Sequence, residues 1–150
     1  MARGIIYEAE LANHGVHFIQ EVQDDIIVDG NSESIGTAGV AKTCHYGINQ
    51  GKAAATNIQA PSSKTLLIPQ IGVLMTGGGN GEWKIMASDT VDTDDGTQLY
   101  TSGTLNLTGT VYVPYPLELP ANKYLTLVYV TAPGGGRTVE AVNLTVIEEN

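Results

Sequence analysis

Hydrophobic and polar positions along this chain repeat with a period of two wherever they keep a period. Over 82–87, Trp83, Ile85 and Ala87 fall on one face and Glu82, Lys84 and Met86 on the other. That is the pattern of a half-buried strand with Trp83 in the core. The same reading predicts strands over 14–21, 25–29, 97–101, 104–113 and 117–119. The most apolar segment is 65–76, where Pro69 removes a backbone donor. Two short strands are expected there, with the proline at a bulge or an edge. The strongest signal comes last. Runs 120–131 and 138–149 are rich in β-branched and aromatic residues, and Gly134, Gly135 and Gly136 lie between them. Glycines that tolerate positive φ can reverse the chain, so this stretch predicts a hairpin of two central strands. On its second strand Val142, Leu144 and Val146 should face the core, with Asn143 and Thr145 facing away. Ile147 breaks that alternation.

Two stretches read differently. Residues 4–7, Gly-Ile-Ile-Tyr, give a short terminal strand signal, so 1–12 is expected to be a terminal strand or an N-terminal arm. Residues 30–56 are rich in Gly, Ala, Ser and Thr and keep no clear period. They read as a long loop with one weak strand near 38–46, and a loop of that length is usually functional or mobile, or else hides regular structure that the pattern misses. Eight to ten strands with turn signals between most of them predict an all-β, antiparallel sandwich or jelly roll with little helix. At 150 residues, one domain over 1–150 is expected.

Composition agrees with that class: 18 glycines, only 15% charged residues, and no long helix-forming stretches. Sixteen acidic residues against seven basic ones give a net charge of −9. A surface of that sign repels phosphate backbones, so nucleic acid is not an expected partner. Otherwise the charge is read as serving solubility. Glu8 and Glu10 stand where a signal peptide needs an apolar core, and no apolar run approaches the roughly 20 residues of a bilayer span. A soluble protein made in the cytoplasm, without a membrane partner, is expected. A single cysteine, Cys44, excludes an intrachain disulfide and a cysteine-based metal cluster.

The chemistry-bearing residues match no motif. Asp89, Asp92, Asp94 and Asp95 crowd the eight residues that end at Gly96, but counting back from that glycine puts Thr93 and Val91 at calcium-ligand positions of an EF-hand loop. A solvated turn is the expected reading. The stretch 47–53 has three residues between its glycines where a phosphate loop has four, and Ala53 stands at the magnesium-binding hydroxyl position. His14 and His17 face opposite sides of a strand, and neighbours Cys44 and His45 on an extended chain point apart, so no zinc site or nucleophile–base pair is expected. A carboxylate pair for glycoside hydrolysis is defined only in space. The Asn-x-Thr triplets at 106–108 and 143–145 lie within strand patterns and read as chance matches to a glycosylation sequon. No catalytic residue, metal or cofactor is assigned, and a non-enzymatic protein is expected. Trp83, Tyr100, Tyr112 and Tyr115 are candidates for an aromatic sugar platform, weighed against ordinary packing. Pro114 and Pro116 stiffen the chain around Tyr115, favouring its display to a partner protein.

The segment 117–127, Leu-Glu-Leu-Pro-Ala-Asn-Lys-Tyr-Leu-Thr-Leu, followed by a Gly-rich turn, is similar to the closing strands of small viral jelly rolls. With the length, acidity, single cysteine and small-residue-rich stretch, the chain resembles the head decoration, or cement, proteins of tailed bacteriophages. The resemblance implies a jelly-roll subunit on the capsid exterior of the virion, a homodimer or homotrimer that bridges neighbouring major capsid protein subunits. It would hold the expanded shell against internal DNA pressure. The partner surface is expected at Arg3, Ile5, Ile6 and Tyr7 of the terminal strand, Val40 and Tyr46 of the 30–56 stretch, and Tyr112 and Tyr115. The alternative is a carbohydrate- or receptor-binding β-sandwich module of a phage tail or fibre.

Overall fold

The computed structural model describes residues 25–47, 56–131 and 136–149. Among them every regular element is a strand: β1 (Asp25–Asn31), β2 (Ala41–Thr43), β3 (His45–Tyr46), β4 (Leu66–Thr76), β5 (Glu82–Ser88), β6 (Thr97–Thr101), β7 (Gly109–Tyr112), β8 (Leu117–Leu119), β9 (Tyr124–Thr131) and β10 (Thr138–Glu149). They form two antiparallel sheets. The larger has the order β3-β1-β10-β4-β7, with β8 also paired to β4; the smaller is β2-β9-β5-β6. The expected all-β sandwich is therefore present, in an order that does not by itself establish jelly-roll wiring. One apolar core fills the space between the sheets. It takes Trp83, Ile85, Leu125, Leu127 and Tyr129 from the smaller sheet, and Ile68, Ile71, Val73, Met75, Val139 and Leu144 from the larger.

The predicted hairpin does not form. Its two strands are both central, as expected, but they lie in different sheets: β9 between β2 and β5, β10 between β1 and β4. The chain crosses the sandwich between them. A Gly-rich reversal serves such an arch as well as a hairpin, so local sequence does not distinguish the two. Residues 77–81 make a second crossing, from β4 in the larger sheet to β5 in the smaller.

Arg137, at the end of the first crossing, ties it to the second. It is almost fully buried, and its Nε donates to the Gly79 carbonyl at 2.8 Å while Nη1 donates to the Leu107 carbonyl at 2.6 Å. Nη2 also donates to Gly79. A planar fork that reaches several carbonyls at once is a property of arginine and not of lysine. Space for it depends on Gly81, where a Cβ would stand 2.6 Å from Arg137 Cδ.

Three other expectations change. The 65–76 segment is one strand, β4, rather than two. The 104–113 strand is shorter, since only Gly109–Tyr112 joins the ladder and Leu105 makes an isolated bridge to Gly81. The described part of the 30–56 stretch is not one open loop. It holds the end of β1, a bridge from Ile35 to Val139, and strands β2 and β3. Small residues there hid the periodicity because β2 and β3 are only three and two residues long. The predicted strand at 14–21, the 1–12 arm and residues 48–55 lie outside the described residues.

Replacing Arg137 with methionine removes its charge-assisted hydrogen bonds to the Gly79 and Leu107 carbonyls, and since both acceptor residues are exposed and can turn to water, a loss of about 2 kcal/mol is expected. Arg137→Lys should recover only a minor part of it. Equilibrium urea unfolding of the three proteins reads both values.

Candidate functional site

The β10–β4 ladder carries two irregularities. Pairing runs from Thr138↔Thr76 to Val142↔Gly72, then resumes at Thr145↔Gln70 and Ile147↔Leu67. From 142 to 145 β10 advances three residues while β4 advances two, and from 145 to 147 the counts reverse. A bulge on one strand is thus cancelled by a bulge on its partner. Asn143 occupies the first with φ of 51°, a left-handed conformation that asparagine tolerates better than most residues. Pro69 occupies the second, at a position no ladder pairs, so its missing N–H breaks nothing there.

The bulges shift which residues face the core. On β10, Val139 and Ala141 are buried before the bulge, and Leu144 and Val146 after it. Val142 falls on the wrong side of the shift. It is half-buried on the outer face, which corrects its expected core position. Gln70 Nε2 donates to the Asn143 carbonyl at 2.9 Å. Asn143 Nδ2 in turn donates to Tyr112 Oη at 2.8 Å. The Tyr112 ring lies over Gly72, where a Cβ would come within 2.9 Å of its Cε1.

At this place the outer face of the larger sheet sinks into an open depression of about 440 Å³, lined mainly by Asp29, Asn31, Gln70, Val142, Asn143 and Thr145. Gly30 points the other way, since a Cβ on it would meet Ile58 and Leu144 of the core. Asp29 and Asn31 therefore flank it on the solvent side. None of these lining residues was singled out as a site from sequence. The available signal was the slip in apolar spacing around Asn143 (139 and 141, then 144 and 146), opposite the proline-marked slip at 69.

The aromatic candidates separate. Trp83 is fully buried, with its ring centroid 5.7 Å from that of Tyr100 at 39°. Tyr100 meets Tyr115 edge-on, also at 5.7 Å but at 74°. These rings are not coplanar and make no flat platform; they form a line from the core to the surface that ends at Tyr115, 52% exposed. Tyr112, 45% exposed, stands apart on β7. Of the other predicted partner residues, Tyr46 is buried in the core and Val40 packs against it. Tyr46 is therefore not available as a contact surface, whereas Val40 is only half-buried. Arg3, Ile5, Ile6 and Tyr7 lie outside the described residues.

The acidic loop spends its carboxylates separately. Asp92 Oδ1 accepts the Thr43 N–H, and the Asp92 N–H donates to Thr43 Oγ1, both at 2.8 Å. Asp94 pairs with Lys84 at 3.0 Å and Asp89 pairs with Lys123. Asp95 Oδ1 accepts the N–H groups of Asp89 and Thr90. Desolvation opposes ionisation of Asp95, but hydrogen bonds from Thr93, Asp89 and Thr90 outweigh it and hold the carboxyl below the usual carboxylate range. By linking β5 to the edge strand β2, the loop reaches over the outer side of the smaller sheet, where Ala41, Met86 and Val128 form a second small apolar cluster. Among the described residues, no three His, Cys, Asp or Glu side chains converge as a metal-ligand group.

Cys44 lies where the chain passes from β2 in one sheet to β3 in the other, fully buried, its N–H donating to Leu125 and its carbonyl accepting from Ile58. Burial pushes its thiol up to about 12. It is a core residue, and the Nδ1 of its neighbour His45, when protonated, donates a long hydrogen bond to the Tyr46 carbonyl, 3.4 Å away. Comparison with protein-family models and with curated proteins finds no match for this chain.

Two outcomes follow from this geometry. Asn143→Gly should preserve stability within about 1 kcal/mol, whereas Asn143→Val should lose about 2 kcal/mol, because a β-branched side chain is strained at positive φ; thermal unfolding of the pair decides it. The Cys44 thiol should react with a chromogenic disulfide reagent at neutral pH only as the chain unfolds, since the thiolate is the nucleophile. Rapid modification of the native protein would contradict the assigned burial.

Proposed function

We propose that this protein is a non-enzymatic structural protein of the virion, a decoration or cement protein made in the host cytoplasm. It binds the outside of a tailed-phage head and ties neighbouring major capsid protein subunits together as a homodimer or homotrimer. The observation that supports this reading is the exposure of large apolar side chains on β7 and on the segments that flank it. Leu107, Tyr112 and Tyr115 are 40%, 45% and 52% exposed around a segment stiffened by Pro114 and Pro116. Large apolar side chains held rigidly at a sheet edge are the composition of a protein contact and not of a solvated loop. Tyr115 is held by Tyr100 and, through it, by buried Trp83, so little side-chain freedom is lost when a partner covers it. Among the described residues β7 ends the larger sheet, and an edge of that kind is where a partner strand can add. Repetition on a lattice multiplies such modest contacts, so no deep pocket is needed.

The test is co-sedimentation of the full chain with expanded, DNA-free heads of its own phage, after light scattering has established its oligomeric state. Binding by a dimer or trimer is expected, and the double variant Leu107→Ala, Tyr115→Ala should lower the apparent affinity at least about tenfold, as losing an aromatic anchor does. A monomer that stays in the supernatant would overturn the reading.

A further inference from the structure

We infer that the depression at the paired bulges is a binding site for a short neutral glycan. Its volume of about 440 Å³ lies within the range of small-ligand sites. Its lining is polar with a single charge: among the residues named, Asp29 carries the only one, beside the amides of Asn31, Gln70 and Asn143 and the hydroxyl of Thr145. A single carboxylate is a poor cage for a divalent cation, which draws on several anionic or carbonyl oxygens. The chain's charge of −9 disfavours an anionic ligand.

The hydrogen-bonding inventory fits hydroxyl groups, which donate and accept at once. One donor of Gln70 is spent on the Asn143 carbonyl and one of Asn143 on Tyr112 Oη. Those bonds fix both amides in orientation and leave their carbonyl oxygens as acceptors. Among the described residues no hydrogen bond occupies the Asn31 amide or the Thr145 hydroxyl, and each of these offers a donor and an acceptor. Asp29 adds a strong acceptor. Tyr112 borders the depression through Asn143 and presents a half-exposed ring lying on the sheet, a surface on which the C–H face of a sugar can rest. The bulges supply the site's rigidity, since Gln70 and Asn143 are held by the same irregularity that shapes the floor.

The inference is independent of the lattice role, and separate residues test it. Cellotriose, maltotriose and triacetylchitotriose are each titrated into isotope-labelled full chain while backbone amide shifts are followed. At least one should move the amides of Asn31, Gln70, Asn143 and Thr145 with saturable, millimolar or tighter binding. Asn31→Ala and Asp29→Ala, which lie outside both bulges, should each weaken that binding by roughly three- to tenfold, the effect of one lost hydrogen bond. Both should leave the unfolding midpoint and head co-sedimentation unchanged, whereas Leu107→Ala, Tyr115→Ala should leave sugar binding unchanged. No response to any of the three sugars, a response that both variants leave intact, or the same shifts produced by calcium chloride alone would each overturn the glycan assignment.

Discussion

A strand that inserts one extra residue turns every later side chain to the opposite face, so the core loses that strand unless its pattern or its partner answers the shift. β10 and β4 meet this constraint together. Asn143 adds a residue to β10, and the neighbourhood of Pro69 adds one to β4, so the register after both bulges is the register before them. Apolar residues change phase on each strand at the matching point: Val139 and Ala141 give way to Leu144 and Val146, while Leu66 and Ile68 give way to Ile71, Val73 and Met75. These are the two central strands of the larger sheet, and β1, β7 and β8 all pair with one or the other. The core of that sheet, and the positions of Asp29 and Tyr112 beside the bulge, therefore depend on one compensated irregularity.

The second organising feature is a buried cation. Arg137, just before β10, is tied to the connection from β4 to β5 and to the approach to β7 through the carbonyls of Gly79 and Leu107. Crossings of a sandwich leave backbone acceptors out of any ladder, and a buried guanidinium needs such acceptors to offset its lost hydration. A forked donor entering from one crossing meets acceptors of the other and of the strand β7 approach. The acidic loop solves a related problem on the smaller sheet. Asp92 caps an N–H of β2, an edge strand, and its own N–H is met by the same threonine. What composition presents as a carboxylate cluster is, in the fold, a set of separate fastenings.

These arrangements place scaffold and display at different locations. Tyr46, Cys44 and Trp83 are interior, while Tyr112 and Tyr115 reach solvent along the β7 edge and the polar depression opens on the outer face of the larger sheet. Tyr112 stands near both surfaces, through its place on β7 and its bond to Asn143. The proposed lattice contact and the proposed ligand site thus share Tyr112 and otherwise draw on different side chains.

The class of the fold was legible because strand periodicity is local. Alternation over 82–87 placed Trp83, Ile85 and Ala87 inside, and 97–101 and 117–119 match β6 and β8 to the residue. Proline chemistry likewise marked residue 69 as a break in pairing, since a missing N–H is written in the residue itself. The exposure of Tyr115 followed from its flanking prolines. Which sheet each strand joined was not legible: a glycine-rich reversal closes an arch and a hairpin alike, and only packing against Arg137 and the partner strands selects the arch. Nor was the depression, because Asp29, Asn31, Gln70 and Asn143 come from three strands. Their approach depends on inter-strand register, a property of pairs of segments that neither segment carries alone.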